Sequence, residues 1–434
     1  MASILIKNGF VVTMDERNRM LTNGAVYIEG AKIVHVGSTQ ELESTYKADD
    51  EIDATNSVVM PGLVNSHVHF ASVFKRGVED DLPLEAWLDT LPWQRDLTVL
   101  TELATKEELA AAFRLVLLEM IKAGITCYSA GTGMLRERYQ SGLRSLNSLL
   151  VIDKVGDYRS LIQSIEEDYS DRFHFGLGTP SLPLVPEDTL LEMNEVARRH
   201  NLKVHMHIAE SKKEIEEIKR RTGCNGSIEY LHKLGLLTPR LIAAHCVHVS
   251  PREIDLMRMN NVGVAHCPVS NAKLGDGIAP LTEFLNAKIS LGLGSDGPAT
   301  NNCIDMFQEM KFACLLQRAA RCNPTVVKAE DVLKMATING ARLLGMNNEI
   351  GSLEIGKRAD IIVVNFEKPH LYPKTNFVSH LVYSAKASDV DTTIVDGKVL
   401  MRDRKVGTMN EAYVLKEGQE AYERLTTRIS RSKL

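Results

Sequence analysis

The chain has 434 residues, 44% hydrophobic and 25% charged, with a formal net charge of −5. That is ordinary globular composition, long enough for one large barrel with an appendage, and it excludes the positive field that holds nucleic acid or an anionic membrane. No apolar run approaches the ~20 residues that span a bilayer, and seven scattered cysteines without a Cys-x-x-Cys pair point to reduced thiols in the cytoplasm.

Residues 1–57 read as short strands and turns. Ile4–Val12 contains the turn pair Asn8-Gly9, Gly24–Gly30 ends in Glu29-Gly30, and Ala31–Gly37 follows at once, so a small antiparallel sheet is expected. The N-terminus has neither the basic start nor the apolar run of a secretory signal.

Near residue 58 the rhythm changes to apolar strands alternating with amphipathic helices. The strands expected are 58–65, Gly124–Tyr128, Leu149–Ile152, Phe173–Gly178, Leu202–His207, Leu241–His245, Val262–His266 and Ile289–Gly294. Thr101 to Lys122 carries Leu103, Leu109, Phe113, Val116, Leu117 and Met120 at helical spacing, and Pro186-Glu187-Asp188 opens another helix with a proline and acids in its first turn. Strands alternating with helices in this way predict an α/β fold, a (β/α)8 TIM barrel over 58–350. A doubly wound sheet is less favoured, because no Gly-x-Gly-x-x-Gly follows the early strands. The strand-and-turn rhythm returns over 351–410, with Ala359–Val364 and the Asp396-Gly397 turn, so both chain ends are expected to build a small β-sandwich domain; 411–434 reads as a closing helix. The final Ser432-Lys433-Leu434 matches a peroxisomal address, but three residues match too easily by chance to carry weight.

In barrel enzymes the reactive residues sit at the C-terminal ends of the strands. The first expected strand ends His67-Val68-His69, the fifth His205-Met206-His207-Ile208-Ala209-Glu210, the sixth His245-Cys246-Val247-His248 and the eighth Ser295-Asp296-Gly297. Residues i and i+2 of a strand share a face, so His67 with His69, and His205 with His207, each point one way. An isolated histidine such as His174 or His266 is better read as a satisfied core residue. Metal-competent side chains at four ends of one rim are not explained that way. Imidazoles with one carboxylate suit Zn²⁺ or Fe²⁺, whereas Mg²⁺ wants more oxygens. Such a metal makes water acidic enough to act as a nucleophile near neutral pH, and Glu210, three residues past His207, could carry the protons. The fourth strand, Phe173 to Pro180, holds no lysine to bridge two metals, so one metal is expected.

This order of motifs resembles the amidohydrolase superfamily, and within it the cytosine deaminase/chlorohydrolase group, most of all the deaminases of S-adenosylhomocysteine and methylthioadenosine. Phe74–Leu84, Ser270–Pro280, Asn301-Asn302 and Gly356–Ile361 support the resemblance, which covers nearly the whole chain. It implies that His67, His69, His207 and Asp296 hold the metal, that Glu210 shuttles a proton, and that His245 orients the attacking hydroxide. Strand parity alone leaves His205 open beside His207.

Two positions depart from the nucleoside deaminases. Gly178-Thr179-Pro180-Ser181 lacks their histidine after strand four, and Leu91-Pro92-Trp93-Gln94 carries glutamine where they carry a ribose-gripping glutamate. Trp93 and Gln94 are the expected substrate contacts, one stacking on a flat ring and the other both donating and accepting. The expected function is hydrolytic removal of an exocyclic amine from an N-heteroaromatic ring, foremost a 5′-modified adenosine. An s-triazine hydrolase or a guanine- or pterin-type deaminase is the alternative, and a non-catalytic barrel scaffold the remote one. The expected partner is a small heteroaromatic molecule, with no nucleic acid or membrane, and the expected assembly is a homo-oligomer.

Overall fold

The computed structural model describes residues 2–78, 80–82, 84, 103–152 and 172–432. Its strands are β1 (Ser3–Val12), β2 (Met20–Glu29), β3 (Lys32–Ser38), β4 (Asp50–Asp53), β5 (Ser57–Pro61), β6 (Leu63–Asn65), β7 (Ile125–Gly131), β8 (Arg144–Leu150), β9 (Phe173–Thr179), β10 (Lys203–Ile208), β11 (Leu241–His245), β12 (Gly263–His266), β13 (Ser290–Leu293), β14 (Ile361–Asn365), β15 (Val390–Val395), β16 (Lys398–Arg402) and β17 (Lys405–Val406).

β6 to β13 pair in parallel and in chain order as one eight-stranded sheet. The sheet curls until the Ser66 N–H donates to the Leu293 carbonyl at 2.7 Å. Asn65 and Ser295 strengthen that seam: the Asn65 Nδ2 donates to Ser295 Oγ at 2.7 Å, and the Ser295 N–H returns to Asn65 Oδ1 at 3.0 Å. Inside the barrel Val64, Cys127, Leu146, Ile242 and Ala265 pack against Leu343, Leu344 and Met346. Leu343 lies so close to the first residue of β12 that a Cβ on Gly263 would come within 2.2 Å of its Cδ1. The end where the strands start is thereby stoppered, and the barrel opens where they finish.

The chain ends form one mixed nine-stranded sheet in the order β17-β16-β15-β14-β5-β1-β2-β3, with β4 also paired to β1. β4 and β5 run parallel to β1, where the sequence suggested antiparallel pairing throughout the first segment. The helix Thr39–Thr45 supplies the crossover that a parallel return requires. The expected single strand over 58–65 is two: β5 pairs with β14 in the small sheet, and β6 starts the barrel. Between them Gly62 sits against Thr126, where a Cβ would meet Oγ1 at 2.1 Å.

β8 begins earlier than its apolar run. Arg144, Ser145, Asn147 and Ser148 are polar yet buried. They are strand residues because the interior satisfies them: Arg144 bonds Asp360 and Asp396 of the small sheet, and Asn147 Nδ2 donates to the His174 carbonyl at 3.2 Å. Among the described residues the first long helix is Lys106–Lys122, its start set by a Thr105/Glu108 capping box. It buries Phe113, Val116, Leu117 and Met120. The helix Glu411–Ser432 docks on it through Arg114–Glu417 and Lys122–Glu411, both at 2.9 Å.

Candidate active site

The open end of the barrel collects histidines from three strands. Ser66-His67-Val68-His69 bends away after β6 and lies between β7 and β13, held by the Val68 N–H to the Ser129 carbonyl at 3.0 Å. His205 and His207 leave β10 on its inner side, with Met206 and Ile208 in the outer core. His245 is in register with Ile208, an outer residue. Its backbone is left-handed, φ 69°, followed by Cys246 at φ 48°, and this turns the ring inward. Ala209 (φ 53°) and Asp296 (φ 56°) are left-handed too. Such non-glycine conformations cost about 1–3 kcal/mol each and cluster where function demands them. Here hydrogen bonds hold them, among them Cys246 N–H to the Ile208 carbonyl at 3.0 Å and Asp296 N–H to the His67 carbonyl at 3.0 Å.

The inward atoms converge. His69 Nε2 lies 3.1 Å from His207 Nε2, and Asp296 Oδ1 lies 3.3 Å from His69 Nε2 and 3.5 Å from His67 Nε2. Ligands at ~2.05 Å around a tetrahedral zinc stand about 3.3 Å apart, so these spacings suit one metal ion. His67 Nε2 is buried and has no hydrogen-bond partner, as a lone pair kept for a cation would be. The residues able to hold a metal are therefore His67, His69, His207 and Asp296, with the His245 ring also close by.

His205 does something different. Its Nε2 is 3.0 Å from His67 Nδ1, and its Nδ1 is 2.9 Å from Ser129 Oγ. With Nδ1–H on both rings, His67 donates to His205 and His205 donates to Ser129. His67 Nε2 is left free to face Asp296. Burial lowers the pKa of His67 to about 4 and also lowers those of His69, His205 and His207, the direction that suits metal ligands, which bind in the neutral form. Burial pushes the Asp296 carboxyl up, but His67, His69 and His245 outweigh it and hold the group well below the usual range. Ser270 Oγ and Thr300 Oγ1 donate to its other oxygen at 2.6 and 2.7 Å.

Glu210 Oε1 stands 3.5 Å from His245 Nε2. Burial pushes the Glu210 carboxyl up to about 8, while His245 pulls the other way. Burial also pulls His245 down, but the carboxylates of Glu210 and Asp296 and a 2.8 Å bond from its Nδ1 to Asn271 Oδ1 leave it raised. A carboxyl that titrates near neutrality beside a fixed imidazole can both take and give a proton.

Six of the eight residues singled out in the sequence thus face one point. Trp93 and Gln94 lie outside the described residues. Ser129, Ser270, Asn271 and Thr300 also belong to the site. Ser270 and Asn271 stand in the quoted run 270–280, whereas nothing in the sequence marks Ser129. Lys273, from the same run, binds Asp80 at 2.7 Å and the Ala299 carbonyl at 2.8 Å on the rim. His266 is buried at the end of β12 with Nδ1 lacking a hydrogen-bond partner, so it is less satisfied than a core histidine should be; burial takes its pKa to about 3.

Residues 58–400 match the Amidohydrolase family. The chain is 40% identical to a 5′-deoxyadenosine deaminase of Methanosarcina acetivorans over 99% of each. It is 38% identical to a 5-methylthioadenosine/S-adenosylhomocysteine deaminase of Desulforudis audaxviator over 97% of this chain and 99% of that one. Among solved structures, a zinc-bound adenosine deaminase from Xanthomonas campestris superposes with a TM-score of 0.91 at 28% identity, over 98% of this chain and 99% of that one. A zinc complex of an atrazine chlorohydrolase from Arthrobacter aurescens shares the fold, with a TM-score of 0.87 at 22% identity over 96% of this chain and all of that one.

Proposed function

The chain belongs to the amidohydrolase family, and we propose that it removes the exocyclic amine of the adenine ring of a 5′-modified adenosine, releasing ammonia. It is a hydrolytic deaminase. The observation that supports the catalytic assignment is the 3.5 Å approach of Glu210 to His245 beside His67, His69, His207 and Asp296. The likeness, from end to end, to proteins named for 5′-deoxyadenosine and for methylthioadenosine and S-adenosylhomocysteine supports the substrate class.

In this reading His67, His69, His207 and Asp296 hold one divalent metal, zinc foremost and iron(II) as the alternative. When bound, the metal supplies Lewis acidity and makes water a nucleophile near neutral pH. His245, fixed by Asn271, orients the attacking water at the amine-bearing carbon. Glu210 takes a proton from that water and gives it to the adjacent ring nitrogen; a second transfer lets the amine depart as ammonia. Trp93 and Gln94 are proposed to cover and address the bound ring. The seven cysteines are all free thiols, which supports a cytoplasmic enzyme. No helix among the described residues is long and apolar enough to cross a membrane. We propose a homo-oligomer as the assembled form.

Gln94, and Pro180 in a stretch without histidine, favour a second reading, in which a bare heteroaromatic such as guanine, a pterin or an s-triazine is bound. A carboxylate would accept from two ribose hydroxyls more strongly than an amide does. The test is a panel of 5′-deoxyadenosine, methylthioadenosine, guanine, a pterin and an amino-s-triazine, each followed by ammonia release. The first two should give kcat/KM at least ~100-fold above the rest, a margin of about 2.7 kcal/mol in transition-state binding. A preference for any bare ring would overturn the nucleoside reading.

A further inference from the structure

The sequence writes the helix-capping signature Ser/Thr-x-x-Glu at several helix starts, among them Thr105–Glu108, Ser211–Glu214 and Ser250–Glu253. In such a box the hydroxyl accepts from the glutamate N–H, and the carboxylate returns to the N–H of the cap residue. The first and third do this, Thr105 N–H to Glu108 at 2.8 Å and Ser250 N–H to Glu253 at 2.9 Å. The second is half of a box. Ser211 Oγ accepts from the Glu214 N–H at 3.2 Å. The carboxylate, however, bypasses Ser211 and reaches the turn before it. Oε1 accepts from the Ala209 N–H at 2.8 Å, and Oε2 accepts from the Glu210 N–H at 3.0 Å. Ser227 Oγ closes the arrangement, donating to Oε1 at 2.5 Å.

We propose that Glu214 is a positioning residue whose carboxylate clasps the two successive amides of the left-handed Ala209 turn and so aims the Glu210 side chain at His245. The inference rests on the reading of Glu210 as proton carrier. A carboxylate serves better than an amide because each of its oxygens only accepts, and two N–H groups point at two different oxygens. A simple cap stabilises its own helix, and the Glu253 carboxylate adds the start of a neighbouring helix, accepting from the Ile228 and Glu229 N–H groups at 3.1 and 3.2 Å; the Glu214 carboxylate does neither. This one is diverted to the backbone that carries Glu210, and both amides it binds flank the left-handed residue. Burial pushes the Glu214 carboxyl up, and the bonds from Ser227, Ala209 and Glu210 oppose that in part.

The test compares metal-loaded Glu214→Gln, Glu214→Asp, Glu210→Gln, the double variant Glu214→Gln/Glu210→Gln, and Glu108→Gln as a cap control on another helix, with 5′-deoxyadenosine as probe. Glutamine presents an NH₂ to one of the two amides, and aspartate is too short to reach both. Both changes should lower kcat by about 10- to 100-fold, the scale of a small misplacement of a catalytic group. KM should stay within about 3-fold and metal content should not change. In the Glu210→Gln background the Glu214 change should add nothing, because it acts only through that side chain. Glu108→Gln should lower the melting temperature and leave kcat alone. Hydrogen exchange of the peptide containing Ala209 and Glu210 should quicken in Glu214→Gln. Full kcat in the Glu214 variants beside an inactive Glu210→Gln overturns the positioning role alone. So does an equal fall in kcat for Glu108→Gln, or an undiminished effect in the double variant. Near-normal turnover of Glu210→Gln overturns the proton-carrier reading, and this inference with it.

Discussion

His205 and His207 leave the same strand on the same side, yet only His207 points its nitrogen at the metal-competent cluster. His207→Ala removes an atom 3.1 Å from His69 Nε2, from the three-histidine group that could hold a metal. His205→Ala removes no such atom. It leaves the His67 Nδ1–H without its partner at 3.0 Å and opens a gap in front of Ser129. Loss of a hydrogen-bond partner behind a ligating histidine lowers metal affinity by about 10- to 100-fold, or about 1.4–2.7 kcal/mol at 1.36 kcal/mol per tenfold. Loss of a ligand should exceed that. Both variants would be loaded with zinc, desalted and measured by elemental analysis, then titrated with a chelator. His205→Ala should keep about one equivalent at micromolar free zinc and release it earlier in the titration. His207→Ala should come through desalting nearly empty. A filled His207→Ala beside an empty His205→Ala would refute the assignment.

The remaining predictions concern proton transfer, a buried acid and the joint between barrel and sheet. Glu210→Gln keeps shape and metal and should lose at least ~100-fold in kcat; near-normal turnover would move the proton carrier elsewhere. Glu309 is fully buried under Asn301 and the Val269 N–H, and burial pushes its carboxyl from 4.5 up to about 8. The folded value lies above the unfolded one, so its stabilisation is complete below the unfolded pKa and is lost as pH rises through about 8. Glu309→Gln should therefore flatten the decline in stability between about pH 5 and 8, and denaturation across that range that follows the parent's slope would contradict it. Arg144→Ala strands Asp360 and Asp396 and should cost about 3–5 kcal/mol in denaturant unfolding; a loss under about 1 kcal/mol would mean that the two acids find water or another cation instead.

Apolar strand runs made the barrel legible, because parallel strands covered on both faces are apolar along their length. Legibility failed where polar residues are buried with partners far away in sequence. Arg144 reads as a surface residue until Asp360 and Asp396 are seen around it. The split at Gly62 is invisible because β5 and β6 are both apolar and one residue apart. In the site, motif order brought out the histidines and carboxylates at the strand ends. Strand parity could not separate His205 from His207, since the difference lies in Ser129 and His67 on neighbouring segments. Nor could it foresee that His245, on the outer register of β11, is turned inward by a left-handed backbone. Glu214 reads as a helix cap, and only coordinates reveal that it grips a different turn.

The most direct measurement is mass spectrometry of the product formed from 5′-deoxyadenosine in ¹⁸O-labelled water, with ammonia counted in the same sample. The account predicts one labelled oxygen on the ring carbon that bore the amine and one ammonia per product. Release of free adenine, an unlabelled ring, or product formed without ammonia would contradict it.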